Sequence, residues 1–358
     1  LGCSWDYRIW IQRSANADPL FRFVRKGKAG YIDSTGKVVI EPKFDGSFNS
    51  QGEFHDGLLE IAVSDGRYVD RTGNVVLDKG FYRGWDFSEG LAAAMPKEGG
   101  LWGYINTSGE FAISPRFRSS QEDYVWPFSD GFAQIKVAGR YGYIDHTGNF
   151  VIPPKFLEAS DFHDGMARVV LDGPCVYFAD GPCRGPVFVG GRQTGPPCKF
   201  TFINKSGQVL GTTPFDAARN FSEGLAPVKV GAFWGFIDKT GSFMIPPKFE
   251  DAEPFSSGLC RIQAQGRYGY SDHSGNIQIS PQYEYAEDFR EGLAVVGSPL
   301  GRYWYIDTHG NRTIPGEYAA ASQFFHGLAH VRFLGKRGNH DKFAYIDSSG
   351  KRVFSYSD

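Results

Sequence analysis

The chain has 358 residues, 41% of them hydrophobic, enough for two ordinary domains or one long repeat array with a sizeable core. Its 38 basic and 40 acidic residues leave a formal net charge of −2, which excludes the basic footprint of a nucleic-acid binder. No stretch approaches the roughly 18 apolar residues of a membrane-spanning helix; 31 Phe, 18 Tyr, 46 Gly and 20 Pro instead call for many short strands joined by tight turns.

Residues 1–19 read as an N-terminal segment. They open Leu1-Gly2-Cys3-Ser4, similar to the end of a bacterial lipoprotein signal, in which a small residue precedes the cysteine that receives lipid; the alternative is a chain start that happens to fall near a cysteine. Trp5 to Ile11 alternates apolar and polar residues, a pattern expected to cap the exposed edge of the first repeat.

From residue 20 to 170 one phrase recurs: an aromatic residue, usually an aliphatic one, Asp or Asn, two residues, then Gly. Its copies end at Asp33 and Gly36, Asp70 and Gly73, Asn106 and Gly109, and Asp145 and Gly148. Between two apolar runs this is a hairpin turn, because the Asp or Asn side chain accepts from the backbone two residues on and Gly takes the left-handed position at low cost. A second phrase falls between the turns, an aromatic followed three residues later by Gly and an apolar residue, as in Phe87-Ser88-Glu89-Gly90-Leu91. After each turn a strand such as Val151-Ile152 runs to a proline (Pro42, Pro115, Pro153), which is expected to close it. A connection carrying Phe44, Phe117 or Phe156 then leads to the Gly-Leu-Ala strand.

Residues 171–198 interrupt the array with a Gly/Pro-rich insertion. It holds Cys175, Cys183 and Cys198, which with Cys260 are candidates for two disulfides in an oxidising compartment; the alternative is free thiols in a reducing cytoplasm. Its apolar residues Tyr177, Phe178, Val187, Phe188 and Val189 are candidates for contact with a partner, or for a hairpin that packs on its own array. Residues 199–358 resume the repeat, with turns at Asn204 and Gly207, Asp238 and Gly241, Asp272 and Gly275, Asp307 and Gly310, and Asp347 and Gly350. The fold class is therefore all-β: about nine three-stranded antiparallel units with a period near 34 to 40 residues, stacked because none can bury its apolar face alone. Both ends are in phase, so no strand obviously exchanges between them. That favours an open superhelix over a closed propeller-like ring.

These residues resemble the WG repeat family, whose hallmark is Trp-Gly followed by an aromatic, Ile, Asp and a turn Gly. Trp102-Gly103-Tyr104-Ile105 and Trp234-Gly235-Phe236-Ile237-Asp238 match most closely, and Tyr141-Gly142 and Tyr268-Gly269 keep the glycine. The pair erodes to Ala29-Gly30, Phe200-Thr201, Trp304-Tyr305 and Phe343-Ala344. The resemblance implies a bacterial-type β-repeat module used for interaction rather than chemistry, and it carries no catalytic residue set.

Of eight histidines, His146, His273 and His309 follow the turn Asp, and His55, His163 and His326 precede or occupy the Gly-Leu turn. Repeat-equivalent positions of this kind read as variants of an exposed turn, not as a catalytic or metal constellation. No metal, phosphate-loop or nucleophile-elbow motif is present, so no cofactor and no enzyme activity is expected. The leading expectation is a protein-binding or scaffolding module at the cell envelope or periplasm, attached to the membrane through a lipidated Cys3; a cytoplasmic module is the alternative. A glycan-binding module using Trp85, Trp126 and Trp304 is the second reading, and a hydrolase with a loop-built site the outsider.

Overall fold

The computed structural model describes residues 19–45, 52–62, 66–118, 124–171, 188–189, 192–193, 199–211, 214–334 and 342–357. Among these every regular element is a β-strand. The unit is clearest at Asp251–Ala252, Cys260–Ala264, Arg267–Ser271 and Ile277–Tyr283, four antiparallel strands paired in chain order. We call them inner, second, third and outer. Of eight repeat-bearing sheets four show this plan in full and three show three of its strands, and the last, of seven strands, spans two repeats because Tyr303 pairs with Tyr318. That makes nine blades. The fourth strand was not expected: the connection before the Gly-Leu turn pairs over only two residues, as Ala252 does with Ile262.

The turns form as the sequence dictates. Asp33 Oδ1 accepts from the Thr35 amide at 2.9 Å, the Thr35 hydroxyl at 2.6 Å and the Lys37 amide at 3.0 Å, and Gly36 sits at φ +86°. Asp145 and Asp238 repeat the pattern with Gly148 and Gly241 at +82° and +86°, and Asp307 takes the His309 and Asn311 amides beside Gly310 at +83°. The Thr35 hydroxyl bond in turn holds the Asp33 carboxyl below the usual range. The Gly-Leu turns are also two-residue hairpins with both central residues left-handed, as at Glu223 (+53°) and Gly224 (+84°).

The prolines do not end the outer strand. The strand Phe243–Phe249 runs through Pro246 and Pro247 by shifting register between Ile245 and Phe249. This bulge brings its backbone onto the third strand, and it explains the glycine of the Trp-Gly pair. A Cβ on Gly235 would lie 2.5 Å from the Ile245 carbonyl oxygen and 2.7 Å from the Pro247 nitrogen. Gly30, Gly103, Gly142 and Gly269 meet the same obstruction at 2.4 to 2.7 Å. Blades without that glycine lack the bulged strand. Arg67 faces only Val75–Leu77, and Thr201 sits beside isolated bridges. Trp304 stands where the outer strand of blade 8 is reduced to one bridge, Ile306 to Arg312. Ala344 is tolerated because its outer strand, Arg352–Ser357, has no proline and pairs residue for residue beside it.

Neighbouring blades are joined by one repeated seam. A third-strand Tyr or Phe meets the inner-strand Phe of the next blade edge to face, from Tyr270 with Phe289 at 4.6 Å to Tyr104 with Phe128 at 5.1 Å. Where the residue is Tyr, its hydroxyl donates to the backbone carbonyl just after the inner strand of that blade: Tyr68 to Trp85, Tyr143 to Ser160, Tyr270 to Glu287. The second and third strands are accordingly buried almost throughout, whereas outer strands alternate, as in Phe243–Phe249. The ninth blade also meets the first through a third-strand tyrosine, here against the second strand. Tyr345 donates to the Arg22 carbonyl at 2.6 Å, and Phe21, Phe23, Ile32, Leu328 and Tyr345 form one core. The array is therefore a closed ring, not the open superhelix that the in-phase ends favoured: no strand is exchanged, but side chains close the circle. Trp5 to Ile11 lie outside the described residues.

Candidate interaction face

A four-stranded meander places its inner–second and third–outer turns at one end and its second–third turns at the other. Uniform seams put these ends on opposite faces of the ring.

The first face is locked. In six of the eight inner–second turns the residue before the glycine reaches the same turn of the next blade: Asp56 accepts from the Gly90 amide at 2.7 Å, Asp130 from Gly165 at 2.7 Å, Asp164 from Gly224 at 2.7 Å. Glu89, Glu223 and Glu291 do the same for Gly131, Gly258 and Gly327. The residue after the turn Asp then closes on that carboxylate. Lys205 pairs with Asp130 at 2.7 Å and Lys239 with Asp164 at 3.1 Å. His146 pairs with Glu89 at 3.2 Å while stacking on Phe128, and His273 with Glu223 at 3.3 Å while stacking on Phe255. His146 and His273 are thus parts of a clamp, and His55 is buried, 3.9 Å from Asp86. His146 and His273 are exposed turn residues, as expected from sequence, and take part in the clamp as well; His55 alone of the three is buried.

Nearer the ring axis, second-strand side chains meet the residue that precedes the inner-strand Phe of the next blade. Gln134 donates to Asp161 at 2.9 Å, and Arg261 to Asp288 at 3.2 Å, while Ala93 and Pro227 stand opposite prolines Pro127 and Pro254 in sequence phase. Burial pushes the Asp161 carboxyl up to about 6 against the opposing Gln134 hydrogen bond. Asp86 and Glu53 are also raised by burial, with His55 pulling each back. Among the described residues no group of three or more His, Cys, Asp or Glu is arranged to hold a metal ion.

The second face is different. Its turn tips expose Leu101, Val137, Val230, Phe233, Leu300 and Leu334, with Leu300 80% exposed. Met166–Val170 and Phe200–Asn204 of blade 5 are paired, so the strand ends that flank 171–198 in sequence stand on this face. Within 171–198 Phe188–Val189 pairs with Arg192–Gln193; Tyr177, Phe178, Val187, Cys175, Cys183 and Cys198 lie outside the described residues, as does Cys3.

Cys260 is a correction to the disulfide expectation. It is a free, fully buried thiol in an apolar core with Trp234, Phe236 and Phe249. It holds the second-strand position that is Ala226 or Ala294 in other blades, where a small apolar residue fits under the neighbouring sheet. The tryptophans of the glycan reading are half-buried. Trp85 lies against Trp102, Trp126 against Tyr141, and Trp304 against Tyr283 with the Arg312 guanidinium 5.4 Å over its ring.

Comparison with known proteins agrees with this architecture. The family described as "WG containing repeat" matches residues 30–58, 67–99, 102–141, 141–173, 200–232, 234–267 and 268–297. No curated protein is matched by the sequence. Among solved structures the chain is similar to a eukaryotic initiation factor, at 11% identity and TM-score 0.63 over 96% of each chain. It is also similar to the Dos1 propeller (12%, TM-score 0.42, 93% of each chain) and to BamB from Moraxella catarrhalis (11%, TM-score 0.41, 84% of this chain and 92% of that one). At such identities the first likeness speaks for the fold alone.

Proposed function

We propose that this chain, which belongs to the WG repeat family, is a non-catalytic protein-binding or scaffolding module whose partner docks on the second–third turn face. One observation carries the reading: the turns of one face spend their side chains on inter-blade clamps, while the other presents apolar tips such as Phe233 and Leu300 to solvent. The apolar tips of the second–third turns, set on a rigid ring, suit a partner that buries them, although outer-strand residues such as Phe243 and Met244 are exposed as well. The role is placed at the cell envelope, with lipid on Cys3 as the anchor, on the strength of Leu1-Gly2-Cys3-Ser4.

The test is site-specific photo-crosslinking in cells. A crosslinker at Phe233 or Leu300 is expected to capture one common partner, and the same group at Thr72 or Thr240 on the clamped face is expected to capture none. Equal capture from both faces refutes the docking face. Intact mass of protein from native membranes checks the anchor, since an unmodified Cys3 removes it. The glycan reading keeps one specific support, the Trp304–Tyr283–Arg312 cluster on blade 8; oligosaccharide binding lost in Trp304→Ala would favour it over a protein partner.

A further inference from the structure

We infer that the seam between blades 9 and 1 is a non-covalent latch, the place where this ring opens. One column of the repeat changes character at this seam alone. At all eight internal seams the third-strand aromatic packs on an inner-strand Phe, and the second-strand residue facing that space is small or aliphatic: Leu59, Ala92, Ala133, Ala167, Ala226, Cys260, Ala294 and Ala329. Blade 1 has Phe21 at that position, and Phe21 itself meets Tyr345 at 5.4 Å. The hydroxyl follows suit. Elsewhere the second-strand carbonyl accepts from the amide just after the inner strand (Trp85 to Ala93, Arg219 to Pro227), and the tyrosine of the preceding blade binds the carbonyl there. In blade 1 the tyrosine hydroxyl goes straight to Arg22. Pro19, at the position of the turn glycine, has φ fixed near −65° and cannot make the left-handed turn that leads every other inner strand into its second strand.

Closure therefore uses parts unlike the rest. Phe21 and Phe23 meet Tyr345 and Phe354, and the Tyr345 hydroxyl binds Arg22. His326 stands where six other blades carry the clamping carboxylate. Among the described residues no strand pair joins blades 9 and 1, as at every seam except that between blades 8 and 9, so parting them breaks none.

Hydrogen exchange with mass spectrometry on the full chain tests this. Amides of residues 21–32 and 343–356 are expected to exchange about tenfold faster, and together, than the equally buried amides of 225–238 and 260–271. Tyr345→Phe is expected to speed the first set further and leave the second unchanged. Equal protection of the two sets, or an acceleration by Tyr345→Phe spread evenly over all blades, overturns the inference.

Discussion

Gly235→Ala is the sharpest probe of the repeat. The added methyl would stand 2.5 Å from the Ile245 carbonyl oxygen and 2.9 Å from the Pro246 carbonyl carbon, both backbone atoms that no rotamer change can move. Reaching ordinary contact near 3.4 Å forces the outer strand outward by about 0.9 Å. Overpacking of this kind costs about 1–3 kcal/mol, and loosening the pairings of Trp234 with Phe249 and Phe236 with Ile245 adds about 1 kcal/mol for each hydrogen bond lost. Alanine returns roughly 0.5–1 kcal/mol by restricting the unfolded chain. The net expectation is a loss of about 2–3 kcal/mol in urea unfolding followed by tryptophan fluorescence, with the slope unchanged. Ala344→Gly, at the same repeat position where the facing strand pairs in register, is expected to cost under about 1 kcal/mol. A Gly235→Ala protein within about 0.5 kcal/mol of wild type would refute the account of the Trp-Gly pair.

Tyr104→Phe removes the 2.6 Å bond to the Trp126 carbonyl and is expected to cost about 1–2 kcal/mol by the same assay, while leaving crosslinking at Phe233 intact. Asp161 has a folded-state pKa of about 6, above its ordinary 3.8, so the folded protein holds the extra proton and stability attributable to it falls as pH rises from about 4 to 6. Asp161→Asn is expected to flatten that fall, raising the denaturation midpoint at pH 7 more than at pH 4. His330 runs the other way: stacked on Phe343 and Tyr356, its pKa is lowered by burial to about 4, so its contribution is full above pH 6.5 and is lost as pH falls toward 4. His330→Gln is expected to reduce acid sensitivity in scanning fluorimetry across that window. Cys260, whose thiol is pushed up by burial, is expected to resist alkylation in the folded chain and to react once urea unfolds it, as peptide mapping would show.

What the sequence disclosed was what is local. Asp33 and Gly36 make their turn within five residues, so the repeat and its period could be read directly. The inner strand escaped because two paired residues, such as Asp251 and Ala252, carry no alternating pattern. Pro246 and Pro247 were misleading for a physical reason: a strand edge facing solvent loses nothing by lacking an amide, so the bulge accommodates them. Ring closure is a long-range fact, joining Arg22 to Tyr345, yet it left a trace, since Phe21 is the only aromatic in a column otherwise small or aliphatic. The same column would have removed Cys260 from the disulfide candidates. The apolar face could not be found from composition, because its residues come singly from separate blades and only the ring brings them to one side.

The glycine and the prolines that press upon it have a consequence for how such an array drifts. Either partner alone is a liability: a side chain at the glycine expels a bulged strand, and a bulged strand forbids any side chain. Once one is lost, however, nothing holds the other. Blade 9 has shed both and kept a regular sheet, whereas blade 8 retains Ile314-Pro315 opposite Trp304 and has lost most of its outer pairing. Copies should therefore decay as linked pairs, and a unit caught with only one partner changed marks a recent or a selected departure. Trp304, held half-open at the rim of the ring, is such a unit.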